Sequence, residues 1–240
     1  MVAGIQVCNV SKTLQDIFTL DDISLTVSCS EFAVILGPSG CGKSTLLNII
    51  SGLITPDKGT VELGGEDWTG RTGRISYMQQ KDLLLPHKNI LDNVSIPLLL
   101  KGMEKKEAYS EARKHLNSFG LEGFERHYPR QLSGGMRQRA ALLRTYLFTS
   151  DIMLLDEPFA GLDAITRGRM QLWLKELWKT YQPSVLFVTH DIDEALLLAD
   201  IIYVFSARPA RVLCKINMAG GTADPCFISQ TKQQILAAMG

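Results

Sequence analysis

The sequence predicts an α/β fold built on a mostly parallel sheet. The main observation is a set of short runs in which every residue is apolar: Phe32–Leu36, Ile152–Leu155, Val185–Val188 and Ile201–Phe205. Runs of this length and composition are typical of strands buried on both faces of a parallel sheet. Segments with helical periodicity lie between the runs, and this alternation places a functional site at the carboxyl ends of the strands.

The N-terminal part of the chain predicts a different kind of sheet. Residues 1–30 and Thr60–Leu63 tend to alternate between polar and apolar side chains and contain no long helical segment. Such alternation is typical of antiparallel strands with one face in the core. We therefore expect a small antiparallel β-subdomain at the N-terminus.

Helices are predicted between and after the buried runs. Thr45–Ile50 and Met136–Phe148 each follow a glycine-rich corner, and Met170–Tyr181 carries one apolar stripe at helical spacing. That stripe is most simply explained as core packing. No buried strand is predicted between residues 88 and 130, so we expect a helical insertion at about residues 87–134. A C-terminal tail of unassigned role follows from about residue 213 to residue 240.

Composition limits the possible functions. The chain of 240 residues contains 25 Lys plus Arg and 25 Asp plus Glu, so its net charge is zero. This balance argues against nucleic acid as a partner, because binding to phosphate backbones needs a basic excess. Five scattered cysteines without a CxxC pair indicate neither a disulfide framework nor a zinc site. The sequence also predicts no signal peptide and no membrane span. We treat residues 1–240 as one domain.

The clearest chemical motif follows the first buried run and comprises Gly37, Pro38, Ser39, Gly40, Cys41, Gly42, Lys43, Ser44 and Thr45. It matches the phosphate-loop pattern of Gly, four residues, then Gly-Lys-Ser between a strand and a helix. Glycines let backbone N–H groups surround a phosphate, and the helix N-terminus adds positive charge. Lys43 would contact the β- and γ-phosphates, and the Ser44 hydroxyl would ligate Mg²⁺. The motif predicts a nucleotide as ligand.

Two further motifs fit beside a phosphate loop. Asp156 and Glu157 follow the second buried run, where one carboxylate can hold Mg²⁺ through water and the other can polarise an attacking water. The corner Leu132-Ser133-Gly134-Gly135 opens a predicted helix and forms a second possible anion site. One chain does not need two phosphate cradles for one γ-phosphate, whereas two facing copies would use both.

With these motifs the chain resembles the ATP-binding subunit of ABC transporters, over about residues 4–212. The resemblance implies ATP as the nucleotide and a P-loop NTPase fold of the RecA-like type. The family's motifs occur in its order: the phosphate loop, Gln80, Ser133–Gly135, Asp156-Glu157, Gly161-Leu162-Asp163 and His190. The resemblance implies that Gln80 senses metal and γ-phosphate, that Glu157 is the general base and that His190 contacts the γ-phosphate. It also implies a dimer, with Asp163 at the seam and ATP held between the phosphate loop of one copy and Ser133–Gly135 of the other.

Further sequence similarity points to one branch of this family. Ser133–Arg139, Phe187–Ala195 and Ser206–Pro209 resemble the importer branch that serves nitrate, sulfonates, taurine and pyrimidine precursors. The resemblance implies ATP hydrolysis at the cytoplasmic face of the inner membrane, as a peripheral subunit. A transmembrane permease and, indirectly, an extracytoplasmic solute-binding protein would be its partners. The stretch Arg144–Phe148 is similar to the pyrimidine-precursor group.

Two positions in the predicted nucleotide site carry open alternatives. The family often places an aromatic residue near position 14 to stack on adenine, where this chain has Leu14, and Phe18 is the candidate substitute. Cys41 lies within the phosphate loop at a helix N-terminus, which favours a reactive thiolate that ATP would protect. The alternative for Cys41 is a side chain turned into the core and unreactive in either state.

Other functions remain as alternatives. A soluble ABC-type ATPase could act as a nucleotide-dependent switch not linked to transport, although Glu157 argues for turnover. An ATPase of DNA repair or chromosome organisation would need a long coiled-coil insertion between Gln80 and Ser133, and the chain between them is too short. The apolar residues between 83 and 100 have two explanations. They form the core of the helical insertion, or they form a groove for a short helix of the permease.

Overall fold

The computed structural model describes residues 3–149, 151–218 and 224–239. In that part of the chain the strands are β1 (Ala3–Leu14), β2 (Ile17–Ser28), β3 (Phe32–Leu36), β4 (Lys58–Leu63), β5 (Glu66–Asp67), β6 (Ser76–Met78), β7 (Ile152–Asp156), β8 (Ser184–Thr189), β9 (Ile201–Phe205) and β10 (Val212–Asn217). The α-helices are α1 (Lys43–Ile50), α2 (Ile90–Leu100), α3 (Lys105–Leu116), α4 (Gly134–Phe148), α5 (Ala164–Tyr181), α6 (Ile192–Leu198) and α7 (Pro225–Met239). A short 3-10 helix spans Pro129–Gln131.

The predicted α/β fold is confirmed. The main sheet has the strand order β10-β9-β3-β8-β7-β6, and all its pairs are parallel except the antiparallel pair of β10 and β9. The four predicted strands are β3, β7, β8 and β9. Alternate residues of each strand enter different cores, as Phe32 and Val34 do on one face of β3 and Ala33 and Ile35 on the other. Both faces of these strands are therefore shielded from water, which explains why the runs are apolar at every position.

The second sheet is antiparallel, as its alternating sequence predicts. It contains β2, β1, β4 and β5 in that order. This sheet and helix α1 cover one face of the main sheet, and their apolar side chains share one hydrophobic core with it. The other helices pack on the opposite face around a second core.

The segment between β6 and α4 carries α2, α3 and the 3-10 helix, with no strand among its residues, all of which are described. The apolar residues after Gln80 differ in their burial. Ile90, Leu91, Val94 and Leu98 are buried in the core, whereas Leu83, Leu99 and Leu100 are exposed.

The tail after residue 213 contains more structure than the sequence indicates. Strand β10 extends the main sheet at its edge beside β9, and helix α7 packs on it through the buried residues Thr231 and Ile235. No helix in the described ranges is long and apolar enough to cross a membrane.

Candidate nucleotide site

The phosphate loop connects β3 to α1 and wraps around the side chain of Lys43. Lys43 is buried, and its Nζ donates hydrogen bonds to the carbonyls of Gly37 at 2.8 Å and Pro38 at 3.0 Å. Gly42 stands at the N-terminal cap of α1 with φ of 128°, a conformation that side chains rarely adopt. A Cβ at this position would lie 2.8 Å from Leu20 Cδ2, so β2 packs directly against the loop.

Strand β7 delivers two adjacent carboxylates to this loop. Asp156 is buried at the end of β7 and accepts a hydrogen bond from the hydroxyl of Ser44. The hydroxyl of Tyr77, on the neighbouring strand β6, lies 3.4 Å from Asp156 Oδ2. Glu157 follows Asp156, and its Oε1 lies 3.8 Å from Lys43 Nζ.

The electrostatics of Asp156 suit a cation. Burial raises the pKa of the Asp156 carboxyl, and the negative charge of Glu157 adds to the effect, while the hydrogen bond from Ser44 opposes it. Burial, together with the charge of Asp156, also raises the pKa of Tyr77 well above its ordinary value. A positive ion beside Asp156 would remove the penalty of holding this carboxylate away from water.

Glu157 is held between two basic side chains. Its Oε2 lies 3.2 Å from His190 Nδ1, and its Oε1 faces Lys43. Its backbone N–H donates to the carbonyl of Val188 at 3.0 Å, and its φ of 42° lies in the left-handed region. Such a conformation in a non-glycine residue is sparsely populated and often occurs at functional sites. The arrangement orients the Glu157 carboxylate toward the loop.

These residues line one open cleft of about 730 Å³, including space that is open to solvent. Its lining consists of Ser39, Gly40, Gly42, Lys43, Ser44, Thr45, Gln80, Asp156, Glu157 and Arg208. The cleft thus brings together the phosphate loop, Gln80 and the two carboxylates. Gly37, Pro38 and Cys41 belong to the loop without lining the cleft. His190 and Glu157 line an adjoining small pocket.

The donor set in the cleft fits Mg²⁺ in chemical type. The oxygen atoms of Ser44, Gln80 and Asp156 are hard ligands of the kind that Mg²⁺ prefers. Among the described residues, no group of three or more His, Cys, Asp or Glu side chains could hold a metal ion alone. In nucleotide sites Mg²⁺ is usually bound by one or two protein groups together with substrate phosphates.

The Ser133–Gly135 corner lies away from the cleft of its own chain, because none of its three residues is in the lining. Ser133 caps α4 by accepting a hydrogen bond from Met136 N at 3.3 Å. A Cβ on Gly135 would lie 3.1 Å from Thr166 Cγ2 at the start of α5. The corner therefore packs beside the Gly161–Asp163 turn and presents the exposed Ser133 hydroxyl to the outside.

The expectation of a reactive Cys41 thiolate is wrong for this structure. Cys41 is 2% exposed and belongs to the core between the loop and the N-terminal sheet. Burial raises the pKa of its thiol, and this effect outweighs the opposing influence of Lys43. The alternative, a side chain turned into the core, is the one that the structure supports.

Phe18 and Arg208 complete the surroundings of the loop. Phe18 is exposed near the start of β2, one residue before Thr19, which contacts Gly42. It is not among the residues that line the cleft. Sequence reasoning assigned no role to Arg208 or Tyr77. Their positions relative to the loop depend on β9 lying beside β3 and on β6 lying beside β7. The sequence motifs do not predict this strand order.

Comparisons with known proteins agree with this geometry. The family model described as "ABC transporter" matches residues 20–160. The formylaminopyrimidine import ATP-binding protein ThiZ of Halalkalibacterium halodurans is 48% identical over 199 residues, which is 83% of this chain and 78% of that protein. The taurine import ATP-binding protein TauB of Pseudomonas aeruginosa (strain UCBPP-PA14) is 44% identical over 197 residues, 82% of this chain and 75% of that protein.

Solved structures give the same result for the fold. The dimeric structure of MJ0796, a bacterial ABC transporter cassette, matches with a TM-score of 0.77 and 33% identity, over 90% of this chain and 99% of that one. A dimeric post-hydrolysis state of the same cassette, bound to ADP and Pi, matches with a TM-score of 0.76 and 32% identity over the same shares.

Proposed function

The chain belongs to the ABC transporter family of ATP-binding proteins, and from that premise we propose that it hydrolyses ATP to power solute import through a separate permease. The observation that carries this proposal is the single cleft that unites Lys43 and Ser44 with Asp156 and Glu157. Relatives that are 48% and 44% identical over 83% and 82% of this chain are named as import ATP-binding proteins. Nothing in these relatives favours the alternative of a soluble switch that is unconnected to transport.

The residues of the cleft have distinct proposed roles. The backbone N–H groups of the loop and Lys43 Nζ bind the β- and γ-phosphates, and Lys43 exchanges its carbonyl partners for phosphate oxygens. Ser44, Gln80 and Asp156 would hold Mg²⁺, which when bound supplies positive charge to the β- and γ-phosphate oxygens. Catalysis then consists largely of positioning and electrostatic stabilisation.

Glu157 is the proposed general base. It lies at the end of β7, beside Lys43. A water molecule in line with the γ-phosphate would stand next to its carboxylate. The carboxylate accepts the proton of that water as the water oxygen attacks the γ-phosphorus, the bond to the β–γ bridging oxygen breaks and ADP leaves. His190, 3.2 Å from Glu157, orients the carboxylate and can contact the γ-phosphate.

The functional unit is proposed to be a dimer attached to a membrane partner. Ser133–Gly135 of one copy would close the phosphate site of the other, with Asp163 at the seam. The exposed side chains Leu83, Leu99 and Leu100 are candidates for contact with the permease. The subunit would then lie at the cytoplasmic face of the membrane, with an extracytoplasmic solute-binding protein as an indirect partner and residues 1–240 acting as one nucleotide-binding domain.

The Glu157→Gln variant tests this proposal. The amide preserves the shape of the side chain but cannot accept a proton, so ATP affinity should stay within about threefold while turnover falls at least ~100-fold. Phosphate release and nucleotide titration measure the two quantities separately. Glu176→Gln, at an exposed position of α5, is the matched control and should hydrolyse ATP at the normal rate. Turnover by Glu157→Gln within a few-fold of the unmodified protein would remove Glu157 from the role of base.

A further inference from the structure

Glu194 is a buried carboxylate to which the mechanism above gives no task. It lies in the first turn of α6 and is 5% exposed. Its Oε1 accepts a 3.0 Å hydrogen bond from Gln171 Nε2 of α5. Its carboxylate also accepts a hydrogen bond from the hydroxyl of Thr189, the last residue of β8. One side chain therefore joins a strand and two helices.

The charge of Glu194 does not by itself stabilise the fold. Burial raises the pKa of its carboxyl group, and the negative charge of Asp191 adds to this effect. The hydrogen bonds from Thr189 and Gln171 oppose it. Because the pKa is raised in the folded state, the ionised form costs the fold free energy at neutral pH. What this carboxylate provides is the geometry that its two hydrogen bonds impose.

A second polar contact joins the same two helices. Arg167 Nη1 of α5 lies 3.7 Å from Oδ2 of Asp191, the N-terminal cap of α6. Arg167 and Gln171 are four residues apart and therefore lie on one face of α5. Their partners, Asp191 and Glu194, are three residues apart at the start of α6. These two contacts hold the beginning of α6 against α5 at the point where the chain leaves β8.

Thr189 connects these contacts to the nucleotide cleft. Its hydroxyl donates to Glu194 and accepts from Asp191 N at 3.0 Å, so it bonds in both directions. Its carbonyl lies 3.4 Å from the backbone N–H of Gly37, the first residue of the phosphate loop. Hydrogen bonds therefore restrain the backbone on both sides of His190.

His190 depends on this backbone for its position. Its imidazole is 53% exposed, so side-chain packing restrains it little, and its Nδ1 lies 3.2 Å from Glu157 Oε2. Glu157, Thr189, His190 and Glu194 line the same small pocket beside the cleft. A small displacement of the backbone here would change the distance between the imidazole and Glu157, and misplacement of a catalytic group by about 1 Å can cost 100-fold in rate.

We propose that Glu194 is a positioning residue for ATP hydrolysis, which acts through Thr189 to hold His190 against Glu157. It does not line the cleft and lies behind His190 in the adjoining pocket, so it does not touch the nucleotide. This inference rests on the proposed function, because it takes the roles of Glu157 and His190 from it.

Turnover and ATP binding, measured separately, test the proposal. Glu194→Met removes both acceptor oxygens, so kcat should fall about tenfold while the Kd for ATP stays within about twofold. Glu194→Gln keeps an oxygen for Thr189, and the amide of Gln171 can turn to accept from the new NH₂ group. Its kcat should therefore stay within about threefold of the normal value.

Thr189→Val tests the same connection from its other end. The valine keeps the shape of the side chain but lacks the hydroxyl, so kcat should again fall about tenfold. Because both changes break one chain of contacts, Glu194→Met combined with Thr189→Val should be no slower than the slower single variant. Thr189→Val also decides the question if Glu194→Met does not fold.

Thr145→Val is the matched control for lost stability. Thr145 is buried in α4, where its hydroxyl donates to the carbonyl of Ala141 at 2.9 Å. The variant loses a buried hydrogen bond at a place that is not connected to His190, so its turnover should be normal below its unfolding temperature.

The imidazole NMR signals of the four histidines provide a measurement that is independent of turnover. The His190 signal is identified as the one that is lost in His190→Ala. In the nucleotide-free protein it should shift or broaden in Glu194→Met and in Thr189→Val. It should stay in place in Glu194→Gln and in Thr145→Val.

Three results would overturn the inference. Turnover of Glu194→Met equal to that of Thr145→Val would leave Glu194 without this role. A loss in Glu194→Gln as large as that in Glu194→Met would make the negative charge, and not the hydrogen bonds, the important property. Equal loss of ATP affinity and turnover would make Glu194 a general structural residue. Normal turnover by His190→Ala is a separate result, which would overturn the role of His190 in the proposed function while the NMR signals still decide whether Glu194 positions it.

Discussion

At the scale of single residues, Asp156 and Glu157 show how neighbouring carboxylates acquire different chemistry. Asp156 points into a buried site where the hydroxyls of Ser44 and Tyr77 are its partners. Glu157 is more exposed and faces two basic side chains. The first carboxylate is therefore suited to a metal ion and the second to a proton, although both belong to one dipeptide.

The Asp156→Asn variant should separate stability from activity. Burial raises the pKa of Asp156, so at neutral pH its carboxylate destabilises the ligand-free fold. The neutral amide removes that penalty, and the free energy of unfolding should rise by about 0.5–2 kcal/mol in urea titrations. Mg²⁺-dependent ATP hydrolysis should fall at least ~100-fold, because the amide is a poor ligand for the ion.

The pH dependence of the free energy of unfolding provides a control for this prediction. As the pH falls through the raised pKa of Asp156 toward the ordinary value of 3.8, the folded protein takes up the proton first. The penalty then disappears, so the stability difference between Asp156→Asn and the unmodified protein should shrink. Asp57→Asn should show no stabilisation, because a hydrogen bond from Lys12 lowers the pKa of Asp57. An equal gain at every pH would contradict the assignment.

Residue types and spacing were enough to predict most of the cleft, and its remaining members show why spacing has limits. Lys43 and Ser44 follow β3 through the phosphate loop, and Asp156 and Glu157 come at the end of β7. They meet because both strands have apolar sequences that are easily recognised and end at the same edge of the sheet. Arg208 also follows such a strand, but its relation to the loop depends on β9 lying beside β3. Spacing likewise cannot tell which way the thiol of Cys41 turns, because the packing of β2 against the loop decides it.

At the scale of elements, one buried asparagine joins helix α2 to the loop before it. Asn93 is fully buried, and its Oδ1 accepts from Leu85 N at 2.7 Å. Its Nδ2 lies 3.0–3.1 Å from the carbonyls of Leu85, Lys88 and Asn89, which share its two N–H groups. The loop that follows Gln80 thus has its backbone groups satisfied by a side chain of the helical segment.

Asn93→Ala should therefore destabilise the protein strongly. Loss of the amide leaves one N–H and up to three carbonyls without this partner, and we expect a decrease of about 2–4 kcal/mol in the free energy of unfolding. Urea titration measures the change. Asn117→Ala, at an exposed position after α3, is the control and should stay within about 0.5 kcal/mol. A decrease of less than about 0.5 kcal/mol in the free energy of unfolding of Asn93→Ala would show that water replaces the side chain.

The elements that sequence predicts best are those with the most uniform surroundings. Strand β3 is buried on both faces, so all of its residues are apolar and the sequence predicts where it begins and ends. Strand β10 lies at the sheet edge with only Ile216 buried, and its mixed sequence carries no comparable signal. Helix α7 buries only Thr231 and Ile235, too few residues to show a stripe.

At the scale of the whole molecule, the two candidate anion sites of the chain lie apart. The cleft contains the phosphate loop but none of Ser133–Gly135, whose corner opens outward beside the Gly161–Asp163 turn. A second copy is the simplest source of the missing corner, and solved relatives are described as dimers. A closed dimer with two-fold symmetry would contain two equivalent composite sites.

A mixture of two inactive variants tests this composition. Ser133→Arg places a large cation at the corner, and Lys43→Ala removes the phosphate contact of the loop. Each variant alone should be inactive, because both sites of its dimer carry the defect. In a mixed dimer both defects fall on one site and leave the other intact. Equal mixing should therefore restore roughly a quarter of the normal turnover if the sites act independently, since half of the dimers are mixed.

The control distinguishes a shared site from simple exchange of subunits. A double variant that carries both changes in one chain, mixed with either single variant, has no intact site and should stay inactive. Phosphate release at saturating ATP measures each mixture, and its dependence on protein concentration reports association. If the single variants mixed together remained inactive while co-purification through a tag on only one of them showed mixed dimers, either Ser133–Gly135 would not act across the interface or one site could not work alone. A mixed dimer of Lys43→Ala with the unmodified chain decides between these, because it keeps one intact site in either case.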